Sequence, residues 1–76
     1  MKNEEKFRIA KENIEWFSEN YDNLKKKFAE QWIILQDKNV IESATKYDEI
    51  MNTSKKYDSN KIMIEYIQSK PIAMFY

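Results

Sequence analysis

The sequence predicts a small α+β domain: an N-terminal helix or helix pair, a β-hairpin, a helix, and one or two C-terminal strands. These strands are expected to form a small, mainly antiparallel sheet with helices on one face. Three observations predict this fold. Apolar residues recur at helical spacing over 4–28, two β-rich runs flank a short turn over 31–43, and a strand pattern follows at 61–68. With 76 residues, the chain is expected to form a single domain, 1–76.

The N-terminal segment carries one apolar stripe, with spacings of three and four residues. The stripe consists of Phe7, Ala10, Ile14, Phe17, Tyr21, Leu24 and Phe28. The segment is either one helix or two, and we favour a break near Glu19-Asn20, with Asn20 as the cap of the second helix. We interpret the stripe as a core face that packs on the sheet. The alternative is a coiled-coil or partner-helix seam.

Residues 31–43 have the pattern of a β-hairpin, with strands at 31–36 and 40–43 joined by three residues. Because the chain contains no glycine, we predict that Asn39 takes the left-handed turn position that glycine usually occupies. The first strand is apolar on both faces, so it is predicted to be central and covered by helix on at least one side. Trp32 in this strand is interpreted as a core residue, and the alternative is a ligand-stacking residue in a small-molecule sensor.

The rest of the chain predicts a helix at 46–56, the strand at 61–68 and an apolar tail at 72–76. Pro71, just before the tail, excludes a central-strand position at that residue. Chain ends are poorly ordered unless something holds them, so the tail is expected to join its own sheet, a second copy or the edge of a partner's sheet. The predicted partner interface is Ile72, Met74, Phe75 and Tyr76.

Composition argues against catalysis. The chain has no cysteine and no histidine, so the commonest nucleophiles, general bases and transition-metal ligands are missing. The sequence places no pair of carboxylates on rigid neighbouring strands, and a phosphate-binding loop needs glycine. We therefore predict a protein that is not an enzyme and has no cofactor and no metal.

Charge and hydropathy bear on location and partners. The 13 basic and 13 acidic residues give a formal net charge of zero, so no long-range field draws the chain to nucleic acid or to an acidic membrane. No apolar run approaches the roughly 20 residues that span a bilayer, and the first residues are not those of a signal peptide. We expect a cytoplasmic protein without membrane association.

Two lysine clusters stand beside aromatic residues, as in some nucleic-acid interfaces. The clusters are Lys25, Lys26 and Lys27 before Phe28, and Lys55 and Lys56 before Tyr57. Both end predicted helices, where the helix dipole favours lysine, so we interpret them as solvated surface. The alternative is nucleic-acid contact by a small antitoxin-like or repressor-like regulator.

Three short runs carry a resemblance to a known family: 28–33, 37–41 and 64–67. Here the chain resembles a family of small archaeal and bacterial proteins known only as a domain of unknown function. Its members have a helix, an aromatic-x-Gly-x-Trp-Val strand, an Asp-Gly-Lys-Val-Val hairpin, a helix and a strand. The resemblance, over about residues 12–67, implies this fold and no catalytic residues. Family genes often neighbour those of retropepsin-like proteases, which implies a partner role. Glu30, Lys38 and Ala44 stand where the family has glycine.

A small core, a stripe of three heptads and an apolar tail together favour a homodimer, because a two-fold partner would cover the stripe and the tail at once. The sequence therefore predicts a non-enzymatic protein-interaction module that self-associates or binds another protein.

Overall fold

A computed structural model describes residues 3–69 of the chain. Its elements are α1 (Asn3–Glu19), α2 (Tyr21–Phe28), β1 (Gln31–Gln36), β2 (Asn39–Ala44), α3 (Tyr47–Ser54) and β3 (Met63–Ile67). The three strands form one antiparallel sheet in the order β2-β1-β3. The predicted α+β class is therefore confirmed, and the first hairpin strand is central as predicted.

The N-terminal segment is two helices with a break at Asn20, as predicted. Asn20 takes the predicted N-cap position of α2, and its carbonyl oxygen accepts from the Leu24 N–H at 2.9 Å, but its side chain makes no capping hydrogen bond to α2. Its Nδ2 instead donates to the Trp16 carbonyl oxygen at 2.9 Å, and its backbone N–H donates to the same oxygen at 3.0 Å. Asn20 thus satisfies a carbonyl at the end of α1, where the last carbonyls of a helix lack helical partners.

The hairpin turn consists of Asp37 and Lys38, whose φ angles are 53° and 62°. Positive φ at both central residues is typical of the two-residue type I′ turn, whose twist matches that of the flanking strands. The prediction for Asn39 is therefore wrong: it is the first residue of β2 and pairs with Gln36. Its Nδ2 donates to the Asp37 carbonyl oxygen at 3.1 Å, so Asn39 supports the turn through its side chain.

A third residue with positive φ, Glu30 at 61°, lies between α2 and β1. Glu30 and Lys38 are two of the three positions at which the resembled family has glycine. Both keep the left-handed backbone that glycine adopts without a steric cost. The chain therefore adopts at these two positions a conformation that costs a residue with a Cβ some steric strain.

Lys38→Gly is expected to raise the free energy of unfolding by about 1 kcal/mol. The left-handed region costs a residue with a Cβ roughly 1–2 kcal/mol, and the extra freedom of glycine in the unfolded chain offsets part of that gain. Thermal melting measures the change, with an expected rise in Tm of about 4–8 °C. The matched control Lys26→Gly, inside α2, should lower stability by about 1 kcal/mol. A lower Tm for both variants would contradict the left-handed turn.

Both faces of the central strand are covered by helix. On one face Ile33 and Leu35 form a buried cluster with Leu24 of α2 and Ile67 of β3. On the other face the Trp32 ring lies 4.8 Å from the Tyr47 ring of α3 and 5.1 Å from the Tyr66 ring of β3, measured between ring centroids. The prediction of helices on one face is therefore wrong. Since β1 is apolar on both sides, each side needs a cover.

The edge strand β2 contains a β-bulge opposite Ile34 and Leu35. Ile34 pairs with Glu42 and Leu35 pairs with Val40, which leaves Ile41 as the extra residue. A bulge disturbs the row of backbone groups that an edge strand offers to another chain. This feature makes β2 a poor site for adding a strand from a partner.

Across residues 3–69, no helix combines the length and the apolar character that crossing a membrane requires.

Candidate protein-interaction surface

Helix α1 leaves large apolar side chains in solvent. Phe7 is 78% exposed and Ile14 is 54% exposed, and Ala10 between them is also exposed. The three residues follow the helical spacing of three and four, so they lie on one side of α1. We call Phe7, Ala10 and Ile14 the α1 stripe.

The exposure follows from how α1 and α2 sit on the sheet. Phe17 and Tyr21 pack against the buried cluster of Ile33 and Leu35, and their own rings are 5.3 Å apart. Towards the middle of α1 the buried residue is Asn13, which is only 3% exposed, and Ile14 is rotated from it by about 100° around the helix. The α1 stripe therefore points away from the core.

Part of the sequence interpretation is thus corrected. The predicted core face is a core face only in its C-terminal part, whose members are Phe17, Tyr21, Leu24 and Phe28. The N-terminal part is exposed although it lies on the same helix as Phe17, because the side of α1 that the domain buries there is the side of Asn13. An exposed apolar stripe is what the alternative interpretation, a partner-helix seam, predicts for this part of α1.

The stripe borders a shallow groove of about 330 Å³, lined by Asn3, Lys6, Phe7 and Ala10. Lys6 is the charged residue of this lining. Elsewhere on α1, Lys11 Nζ lies 3.9 Å from Glu15 Oε1, and the two side chains are 78% and 57% exposed. An ion pair of that length in solvent contributes about 0–1 kcal/mol, so both side chains can change partner at little cost.

The lysine clusters are separated by the sheet. The first cluster ends α2 and the second follows α3, and these helices cover opposite faces, so the clusters do not form one patch. Lys25 Nζ lies 3.9 Å from Asp22 Oδ1 and 5.5 Å from the Tyr21 ring centroid, while Lys26, Lys27, Lys55 and Lys56 are exposed.

The aromatic residues beside the lysine clusters are used within the domain. Phe28 packs against the buried cluster of the sheet. The Tyr57 hydroxyl donates to Glu42 Oε2 at 2.5 Å, and this hydrogen bond raises the pKa of Tyr57. Both side chains therefore make contacts within the domain.

The predicted interface residues Ile72, Met74, Phe75 and Tyr76 lie outside the described residues, which end at 69. Their role stays a prediction.

Glu30 joins the start of β1 to the end of β3. Its Oε2 accepts a hydrogen bond from the Tyr66 hydroxyl at 2.6 Å, and its Oε1 accepts from the Ser69 backbone N–H at 3.2 Å and from the Ser69 hydroxyl. The Glu30 N–H donates to the Ile67 carbonyl oxygen at 2.7 Å. Donation to the Glu30 carboxylate raises the pKa of Tyr66. Sequence reasoning missed this cluster, although glycine in the resembled family marked the position.

Glu65 is an acidic residue on the core-facing side of an edge strand. It pairs with Ile33 across the sheet, so it shares the face that α1 and α2 cover. Desolvation there raises the pKa of Glu65 above its ordinary 4.5. Within the part of the chain that the structure describes, β3 is an edge strand, and an inward-pointing charge on an edge strand discourages pairing with other chains.

Glu65→Gln is expected to raise Tm at pH 7 and to have a smaller effect at pH 4. Because folding raises the pKa of Glu65, the protonated side chain favours the fold below about pH 4.5, and that contribution is lost as pH rises through the folded pKa. Glutamine removes the cost of the buried charge. Thermal melts at both pH values measure this, with the exposed Glu12→Gln as control. An equal gain in Tm at both pH values, or a loss at pH 7, would contradict the conclusion that Glu65 carries a desolvated charge in the folded chain.

Within residues 3–69, no group of three acidic, histidine or cysteine side chains is placed to hold a metal ion.

These observations define a three-stranded antiparallel domain with helices on both faces and an exposed apolar helix surface. The chain belongs to the family of unknown function DUF5678, whose model matches residues 23–70. The match begins inside α2, at residue 23, continues through β3 and leaves α1 outside. The predicted membership of an uncharacterised family is confirmed. No curated protein and no solved structure matches the chain.

Proposed function

We propose that the chain is a non-enzymatic protein-interaction module that self-associates, with the α1 stripe as its contact surface. The observation that carries the proposal is the exposure of Phe7, at 78%, on a helix whose stripe continues into the core. Aromatic side chains are enriched in protein interfaces, where they bury a large apolar area. The matched family region contains the sheet, and the α1 stripe lies outside the matched residues.

The energetics of a small domain support this proposal. A chain of this size is expected to have a free energy of unfolding of about 4–11 kcal/mol. Burying Phe7 and Ile14 against a partner would contribute roughly 1.5–3 kcal/mol for each side chain, before the cost of ordering. Such a contact is large enough to matter for the stability of the chain.

The apolar tail is a second proposed contact. The tail carries the same kind of side chain as the α1 stripe, and a two-fold partner could cover both; its residues are Ile72, Met74, Phe75 and Tyr76.

We propose that the module is located in the cytoplasm.

Nucleic-acid binding is the alternative function, and the exposed Lys26, Lys27, Lys55 and Lys56 are the observation in its favour. Because the clusters are split and the net charge is zero, we expect binding weaker than about 1 μM at about 150 mM salt. Titration of labelled duplex and single strands measures it. Tighter binding that Lys26→Glu with Lys27→Glu abolishes would favour the regulator over the interaction module.

Site-specific photo-crosslinking in cells tests the proposed function. A photo-reactive amino acid is placed at Phe7 or Ile14, at Phe75 in the tail, or at the control positions Glu12 and Glu19 on the other side of α1. We expect covalent protein adducts from Phe7 and Ile14 and few from the controls. Adducts from Phe75 would support the tail as a second contact. Equal adducts from all α1 positions, or none from the stripe, would contradict the proposal.

A further inference from the structure

We infer that the α1 stripe binds the α1 helix of a second copy in antiparallel orientation, with Phe7 of each copy in the groove beside Ala10 of the other. The inference rests on the proposed function and names its partner. Two features of α1 carry it: the shape of the stripe and the order of the charges that flank it.

The shape of the stripe is self-complementary in the antiparallel arrangement. The groove of about 330 Å³ lies beside Phe7 and Ala10, where a small side chain leaves space next to a large ring. In an antiparallel helix pair, Phe7 of one copy faces Ala10 of the other, and the contact occurs twice about the two-fold axis. In a parallel pair in register, Phe7 would meet Phe7 and Ala10 would meet Ala10, which leaves the groove unfilled.

The flanking charges distinguish the two orientations. Glu4 and Lys11 lie seven residues apart on the same flank of the stripe, and both are exposed. An antiparallel pair sets Glu4 of each copy beside Lys11 of the other, so two opposite-charge contacts form. A parallel pair sets Lys6 of one copy beside Lys11 of the other, which is repulsive. The charges therefore favour the antiparallel orientation.

The described structure leaves these groups free for the contact. Lys11 has only the long, exposed ion pair with Glu15, at 3.9 Å, which can be exchanged. Asn13 limits how far around α1 the contact extends. Its side chain is only 3% exposed because its own domain buries it, so the contact is confined to the stripe and its outer flank.

Charge exchange across the contact tests the inference. Glu4→Lys places like charges at both flanking contacts of a homodimer, and Lys11→Glu does the same with the opposite sign. Each variant alone should dimerise at least about tenfold more weakly than the wild type, because two attractive contacts become repulsive. An equimolar mixture restores opposite charges at both contacts and should dimerise at least as strongly as the wild type. Sedimentation equilibrium at low salt measures all three.

Matched controls separate this contact from a general effect of net charge. Glu12→Lys and Arg8→Glu make the same charge changes outside the stripe, where both side chains are exposed. Each control alone should dimerise like the wild type. If the exchange variants behave like the controls while Phe7→Ser abolishes the dimer, the antiparallel arrangement is wrong and the proposed function stands. A wild-type chain that stays monomeric overturns both the antiparallel contact and the self-association in the proposed function; stripe adducts to a different protein would then indicate a module that binds another protein.

Discussion

Replacing Ile33 by alanine is expected to lower the free energy of unfolding by about 2–5 kcal/mol, because the substitution opens a cavity in a packed core. Ile33 is 0% exposed in the central strand and packs with Leu24, Leu35 and Ile67. Against a total stability of about 4–11 kcal/mol, this loss leaves many molecules unfolded at ordinary temperatures. Urea unfolding, followed by the fluorescence of the two tryptophans, measures it.

The control for this experiment is Ile14→Ala. Ile14 has the same side chain but is 54% exposed on α1. In dilute solution, where the chain is monomeric, its loss should change stability by no more than about 0.5 kcal/mol. Equal losses for the two isoleucines would mean that the α1 stripe is packed in the monomer and is not available to a partner.

Removing the stripe is expected to abolish self-association without unfolding the domain. In the variant Phe7→Ser with Ile14→Ser, each copy loses two apolar side chains whose burial contributes roughly 1.5–3 kcal/mol apiece. The Kd for dimerisation should therefore rise by at least about 100-fold, which corresponds to roughly 2.7 kcal/mol. Sedimentation equilibrium measures Kd, and circular dichroism verifies that helix and strand content is kept.

A variant with two changes on the other side of α1, Glu12→Ser with Glu19→Ser, is the control for the stripe experiment. Both side chains are exposed, so this variant should dimerise like the wild type. If both double variants weaken the dimer equally, the loss reflects a weaker helix rather than the loss of the apolar surface.

The order of the helices and strands could be predicted from the sequence better than their packing. Period-two and helical patterns predicted the sheet, the hairpin and the break at Asn20, because these patterns are local. The apolar residues on both sides of β1 already indicated two covers, yet only one covered face was predicted. The turn was misassigned to Asn39 because residue preference favoured asparagine, whereas the register of Gln36 with Asn39 selects Asp37 and Lys38.

The candidate surface was predictable only in part. Periodicity identifies an apolar side of a helix but does not say what covers it, so Phe7 and Ile14 were assigned to a core that does not reach them. Glu30 was visible only as a departure from the family's glycine. Its hydrogen bonds to Tyr66 and Ser69 join residues far apart in the chain, and a single sequence does not reveal such pairs.

Light scattering of the wild-type chain from about 1 to 100 μM tests self-association through α1. We expect the molar mass to rise with concentration from 9.3 kDa to twice that value. We also expect Phe7→Ser with Ile14→Ser to stay at 9.3 kDa throughout. A wild-type mass of 9.3 kDa at every concentration, or a dimer that persists in the stripe variant, would contradict self-association through α1.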